Sequence, residues 1–323
     1  MADPQPTDLL ADVAARCDAV ARNVARVIRG KDEVIEAVVL ALLAGGHLLI
    51  EDVPGVGKTS LAKALAASVD GTFGRIQFTP DLLPSDVVGV TVYDRSRGTF
   101  EFRSGPVFAH VVLADEINRA SPKTQSALLE AMAEAQVTVD GATYPLGPPF
   151  LVIATQNPID HEGTYPLPDS QLDRFLLRVS VGYPDPVAEV EILASHGDRD
   201  LLEELRPVIS SADVQAMATA VRGVHVAPAL AQYMVDLAVA TRRHPDLSLG
   251  MSPRATLALQ GVARARAASH GRGYATPDDV KSLAVAVLGH RMMLTPEAQL
   301  RGTTAEEILV DTLNRVPVRR SDR

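Results

Sequence analysis

The chain has 323 residues, 46% hydrophobic and 22% charged, the composition of a globular protein with room for roughly two domains of about 150 residues. A net charge of −9, 4% aromatic residues and no tryptophan argue against nucleic-acid binding, which relies on lysine and arginine at phosphates. A single cysteine, Cys17, excludes an internal disulfide and points to a reducing compartment, so a cytoplasmic protein is expected.

The opening MADPQPTDLL has no basic stretch followed by an apolar one, so no secretory signal is expected. The first eight residues and the closing VRRSDR are expected to fray. Leu10, Val13, Cys17, Val20, Val24 and Val27 recur at spacings of three and four, one face of a helix that Gly30 ends. A second helix over 32–44 stops at Gly45-Gly46, and the apolar run at 37–46 is too short to span a bilayer, so no membrane insertion is expected. HLLIE (47–51) reads as a buried strand, and Leu61, Leu65 and Val69 begin another helical face. Further strands are expected at 75–78, 110–115, 150–155 and 178–181, with a helix over 122–135. Apolar strands alternating with helices predict an α/β fold with a mostly parallel sheet covered on both faces. Two hairpins, at 91–102 and 137–144, read as insertions, the second turning at Asp140-Gly141. Past YPDP (183–186) the strands are expected to cease, and helices near 229–241, 253–269 and 277–288 form a second, all-helical domain.

Between the first strand and the third helix lies EDVPGVGKTS (51–60). Gly57, Lys58 and Thr59 fit the end of the phosphate-loop pattern G-x-x-x-x-G-K-[ST], but Asp52 stands where its first glycine belongs. Strand, glycine loop, helix is the context that the pattern needs. Pro54, Gly55, Val56, Gly57, Lys58, Thr59 and Ser60 then form the loop, whose backbone N–H groups cradle phosphates; Pro54 contributes none. Lys58 reaches the β- and γ-phosphates, and the Thr59 hydroxyl ligates Mg²⁺. Asp52 is tolerable if its side chain points away from the phosphates. VVLADE (111–116) ends a buried strand on two acids at the carboxyl edge of the sheet, where open α/β folds bind ligands. Asp115 can hold Mg²⁺, and Glu116 can take a proton from an attacking water. Asn157, at the end of the strand in LVIATQNP (151–158), can orient that water or sense the γ-phosphate, or simply form a turn before Pro158. Arg254 follows the Ser252-Pro253 start of a helix, where the dipole disfavours a cation, so it reads as aimed at an anion. By spacing alone Arg174 and Arg178 read as surface ion pairs, Arg174 with Asp173 or Asp169. Cys17 reads as a buried core residue, and the eight histidines show no metal spacing.

EDVPGVGKTS, VVLADEINRASPKTQSALLEAM, IATQNP, LPDSQLDRFLLRV and GMSPRA together resemble the motif series of the MoxR family of AAA+ ATPases, over about 27–316. After the N-terminal helix read from spacing (1–29), the resemblance implies an αβα ATPase core (30–184) with a helix insert and a second hairpin, and a helical lid (185–323). It implies ATP and Mg²⁺ as cofactors, with Lys58 and Thr59 as the Walker A pair, Asp115 and Glu116 as Walker B, and Asn157 as sensor 1. Arg174 is similar to the arginine finger that reaches a neighbour's γ-phosphate, and Arg254 to the sensor-2 arginine. A hexameric homo-oligomeric ring is implied, acting on a protein client in maturation or metal insertion, often one with a von Willebrand factor A domain. In a ring, the hairpin tip DRSRG (94–98) could face the pore and touch a client; otherwise it is a solvated turn. A non-enzymatic nucleotide-dependent scaffold is the alternative reading, which would be expected to lack Glu116 or Arg174. A nucleic-acid motor is disfavoured by the acidic balance.

Overall fold

Leu48, Leu49 and Ile50 are fully buried, as a strand covered on both faces requires, and they make up most of β1 (Leu48–Glu51). The computed structural model describes residues 6–53, 55–157, 164–184, 186–187, 189–190 and 201–318. Before β1 come α1 (Pro6–Ala25) and α2 (Asp32–Ala44), the latter closed by Gly45 in the left-handed conformation that helix ends favour. After it the chain runs through α3 (Lys58–Ser68), β2 (Phe73–Gln77), the short α4 (Pro84–Val88), a hairpin of β3 (Gly89–Asp94) and β4 (Thr99–Ser104), and β5 (Val111–Asp115). Next are α5 (Pro122–Glu134), a second hairpin of β6 (Gln136–Val139) and β7 (Ala142–Pro145), then β8 (Leu151–Gln156) and β9 (Leu177–Val179).

Five strands form one sheet in the order β2-β5-β8-β1-β9, and the β2/β5, β5/β8 and β8/β1 pairings are all parallel. The α/β expectation holds. Register carries functional consequences, because Glu51 pairs with Gln156, Gln77 with Asp115 and Ala114 with Ala154. The carboxyl ends of four strands therefore come level, and the residues that follow them share one sheet edge. Both hairpins are present as separate two-stranded ladders. Asp140 and Gly141 have φ of 50° and 81°, the mirror-image turn whose twist matches its strands. At Gly89 φ is +103°, and a Cβ there would lie 2.3 Å from the Arg103 carbonyl oxygen, so only glycine can close the base of the first hairpin. Phe102 stacks on Tyr144 at 4.0 Å between ring centroids, which ties the two hairpins together.

The chain packs as two units. Ala19–Phe175 with Val179–Gln215 holds β1, β2, β5 and β8 and both hairpins. Helices after Ala216 form the other, with Leu176–Arg178 and the first part of α1. There Pro228–Arg242, Pro253–Ser269, Pro277–Leu288 and Ala305–Arg315 are helical, and the helices beginning at 253, 277 and 305 have side-chain caps at Ser252, Thr276 and Thr304. Cys17 is buried, and burial pushes its thiol up to about 12, which fits a core role. The helical second region holds, but strands do not cease past 183–186. Leu247–Leu249 (β10) pairs antiparallel with Met293–Leu294 (β11). Strands of three and two residues are too short to show any alternation in the sequence. Among the described residues no helix is long and apolar enough to cross a membrane.

Candidate active site

The loop between β1 and α3 turns on two glycines with left-handed backbone, Gly55 at φ +88° and Gly57 at φ +90°. Gly57 caps α3 without offering a side chain to its first N–H groups. Those donors, and the positive end of an 11-residue helix, are thereby left for an external anion. Val56 stands between the two glycines, and Pro54 lies outside the described residues. Lys58 Nζ donates to the Asp52 carbonyl at 3.0 Å, so its ammonium sits over the loop.

Asp52 has its carboxylate turned away from that loop. Its Oδ1 accepts from Val53 N–H at 2.8 Å, while Oδ2 accepts from Ser180 Oγ at 3.0 Å and Gly182 N–H at 2.5 Å. Burial pushes its carboxyl up, but the donors at Gly182, Val53, Ser180 and Val181 outweigh this and hold it below the usual range. Asp52 is thus a brace between the β1 end and the segment after β9, and the charge is spent on that brace.

At the neighbouring strand ends, Asp115 Oδ1 accepts from Thr155 Oγ1 at 2.8 Å, and its Oδ2 accepts from Arg75 at 2.7 Å. Glu116 has φ of +56°, a conformation that costs a non-glycine residue roughly 1–3 kcal/mol and concentrates at functional sites. Its N–H donates to the same Thr155 hydroxyl oxygen at 2.9 Å. Its Oε2 accepts from Gln77 at 2.8 Å and from Arg119 at 3.1 Å. One buried threonine therefore fixes both acids, and two partly exposed side chains hold the glutamate.

These elements enclose a cleft of about 390 Å³ lined by Gly55, Gly57, Lys58, Thr59, Ser60, Asp115, Glu116 and Asn157, with Arg75 and Gln77. Arg174 is not among the lining residues; its guanidinium donates to the Leu129 carbonyl on α5 at 2.7 Å. Arg178 and Arg254 belong to the helical unit, where Arg178 pairs with Glu306 at 2.8 Å and Arg254 stands in the first turn of its Ser252-capped helix. Sequence reasoning missed Arg75, Gln77 and Thr155. The alternating exposure of FGRIQ puts the first two on one face of β2, and a hydroxyl at the end of the otherwise apolar LVIAT was the signal for the third. It also passed over His47, whose ring accepts from Val152 N–H at 3.0 Å and donates to the Met132 carbonyl at 3.1 Å. Burial holds that imidazole down to about 4, hence neutral, pinning the start of β1 to β8 and the end of α5.

The donor set suits a nucleoside triphosphate with a divalent ion. A cleft of this size is ordinary for small ligands, which take roughly 300–1,000 Å³, and it joins phosphate-binding groups on one side to two acids on the other. Among the described residues no group of three or more His, Cys, Asp or Glu side chains forms a metal site. A metal ion here would take Asp115, the Thr59 hydroxyl and phosphate oxygens, the few-carboxylate coordination that Mg²⁺ favours.

Comparison with known proteins places the chain among ATPases. Residues 47–177 match the model of the ATPase family associated with various cellular activities (AAA), and 239–312 match that of the AAA lid domain. The chain is 43% identical to the chaperone MoxR1 of Mycobacterium tuberculosis, over 90% of this chain and 78% of that one. It is 31% identical to protein MoxR of Methylorubrum extorquens over 90% of both chains. It is also similar to the crystal structure of a candidate ATPase from Cytophaga hutchinsonii, with a TM-score of 0.90 and 38% identity over 97% of this chain and 98% of that one.

Proposed function

This chain belongs to the MoxR family of AAA ATPases, and from that premise we propose that Mg²⁺-dependent ATP hydrolysis in its cleft, shared between neighbouring subunits of a hexameric ring, drives chaperone-like remodelling of a protein client. The observation that carries the reading is the meeting of the uncapped N-terminus of α3, with Lys58 and Thr59, and the Asp115–Glu116 pair across one cleft. In this reading the loop from Pro54 to Ser60 and Lys58 hold the triphosphate. Asp115 and Thr59 hold Mg²⁺, which when bound offsets charge on the β- and γ-phosphates. Glu116 takes the proton from the attacking water while Asn157 orients it, and the γ-phosphoryl passes to water as ADP leaves. Arg174 is the finger presented to the neighbouring subunit's γ-phosphate, and Arg254 senses nucleotide from the lid.

The relative named as a chaperone supports a protein client. Maturation, with metal insertion as one form of it, and von Willebrand factor A domain proteins as clients are the output and partners that we propose, in the cytoplasm. The β3/β4 hairpin suits client contact, because Tyr93 and Phe100 are exposed and sit 5.1 Å apart between ring centroids beside the arginines of its tip.

Replacing Glu116 by Gln tests both halves of the proposal. The amide keeps the shape of the carboxylate but takes no proton, so hydrolysis should fall by roughly 10²–10⁴-fold while ATP still binds. Bound ATP would then favour the assembled state by mass action, and light scattering with ATP and Mg²⁺ should show a larger, longer-lived oligomer than the wild type. Turnover at the wild-type rate would move the base elsewhere, and a monomer at micromolar concentration with ATP bound would end the ring reading.

A further inference from the structure

We infer that Gln125 is a positioning residue that ties the turn bearing Glu116 to the segment bearing Arg174, so that the base of one site and the finger for the next are set by one buried amide. The inference rests on the shared-site reading above. Gln125 lies on α5 with no exposure at all, in a buried row with Leu128, Leu129, Ala131, Met132 and Thr124, whose hydroxyl donates to the Leu82 carbonyl at 2.7 Å. An apolar side chain would suit that row better, since a buried amide must find partners. Its Nε2 lies 3.2 Å from the Ile117 carbonyl, 3.2 Å from the Ala120 carbonyl and 2.9 Å from the Tyr165 carbonyl. Because all three are acceptors, the amide nitrogen must face them and shares its two hydrogens among them. Oε1 has no partner among the described residues, a loss of roughly 1–3 kcal/mol that stability alone does not explain.

The three carbonyls belong to two segments. Ile117 opens the short turn that follows Glu116 and Ala120 ends it; the turn is closed by Arg119 N–H donating to the Glu116 carbonyl at 2.9 Å. Tyr165 begins the run that leads through buried Leu167 and the helical turn Asp169–Leu172 to Arg174 and buried Phe175. A second bond joins the same two segments, Tyr165 N–H donating to the Asn118 carbonyl at 2.6 Å. One helical turn beyond Gln125 on α5, the Leu129 carbonyl accepts from Arg174 at 2.7 Å. Helix α5 thus grips the Glu116 turn at one level and the Arg174 guanidinium at the next, with Gln125 bridging the segments between them. A displacement of about 1 Å at either end is enough to cost a reaction roughly 100-fold.

Subunit mixing tests this. Mixed Glu116→Gln and Arg174→Ala subunits unite one intact base with one intact finger and set the reference recovery. Gln125→Met keeps the bulk and removes the donor; it should bind ATP within about threefold of wild type and lower kcat roughly 10–100-fold. Mixed with Glu116→Gln it reports its own base, and mixed with Arg174→Ala it reports its own finger. Both mixtures should fall well below the reference. Full recovery of either one overturns the inference and leaves the shared site standing, whereas a reference that fails to recover overturns the shared site and the inference with it. If Gln125→Met does not fold, Gln125→Asn, which keeps a shorter donor, takes its place in the same mixtures. Amide exchange in the isolated subunit gives an independent reading: protection at Arg119 and Tyr165 should drop together, and a drop at only one contradicts the bridge.

Discussion

Asp279 in the helical unit and Asp115 at the sheet edge are both aspartates with an arginine within hydrogen-bond distance, and they are used in opposite ways. Asp279 is fully buried and accepts from Arg266, from Arg272 at both oxygens, and from the Thr276 N–H and hydroxyl. Burial pushes its carboxyl up, but Arg272 and Thr276 overcome this and hold it down to about 2. Every lone pair is committed, so it caps its helix and can do no other chemistry. At the sheet edge the arginines are loose. Arg75 on Asp115 has 47% of its side chain exposed, and Arg119 on Glu116 has 45%. Their acids keep a face toward the cleft, and Glu116 sits in a strained backbone that a capping role does not require. A carboxylate works chemically where its partners can be exchanged, and it holds structure where they cannot.

That contrast is breakable, most severely in the lid. Arg272→Ala leaves a buried carboxylate short of its main partner and should lower stability by about 3–5 kcal/mol in urea denaturation. A loss under about 1 kcal/mol would mean that Asp279 is no more committed than Asp115. His47 sharpens the point within the sheet unit. Its folded value of about 4 lies below the ordinary 6.5, so its contribution is complete above pH 6.5 and is lost as pH falls toward 4. The integrated effect is roughly 3 kcal/mol. Proton NMR of the ring should show His47 neutral at pH 5.5, and titration near pH 6.5 would contradict the buried, doubly bonded imidazole. The smallest effect belongs to Arg75. Because its guanidinium is half exposed, Arg75→Ala should change stability by about 1 kcal/mol or less in the same denaturation assay. A loss comparable to that of Arg272→Ala would make Arg75 a structural residue.

The same contrast explains what could be read from the chain. Strand–loop–helix order, the two hairpins and the helices at 253–269 and 277–288 follow from periodicity and turn chemistry, which are local properties, and they stand where expected. Lys58, Thr59, Asp115 and Glu116 were legible because their motifs sit at strand ends and helix starts. Arg75 and Gln77 in the cleft, and Thr155 buried behind its acids, were not, because which acid each one meets depends on parallel register between strands far apart in sequence. Asp52 looked misplaced for the same reason. Its partners Ser180 and Gly182 lie 128 and 130 residues away, and no local pattern announces them.

Calorimetric titration of ATP with Mg²⁺ into the wild type and into Lys58→Ala is the most direct test that this cleft is the nucleotide site. The lysine supplies the one side-chain cation within the loop, so ATP should bind ordinarily to the wild type and almost not at all to the variant. Wild-type affinity in Lys58→Ala would put the nucleotide somewhere other than the cleft between β1 and α3.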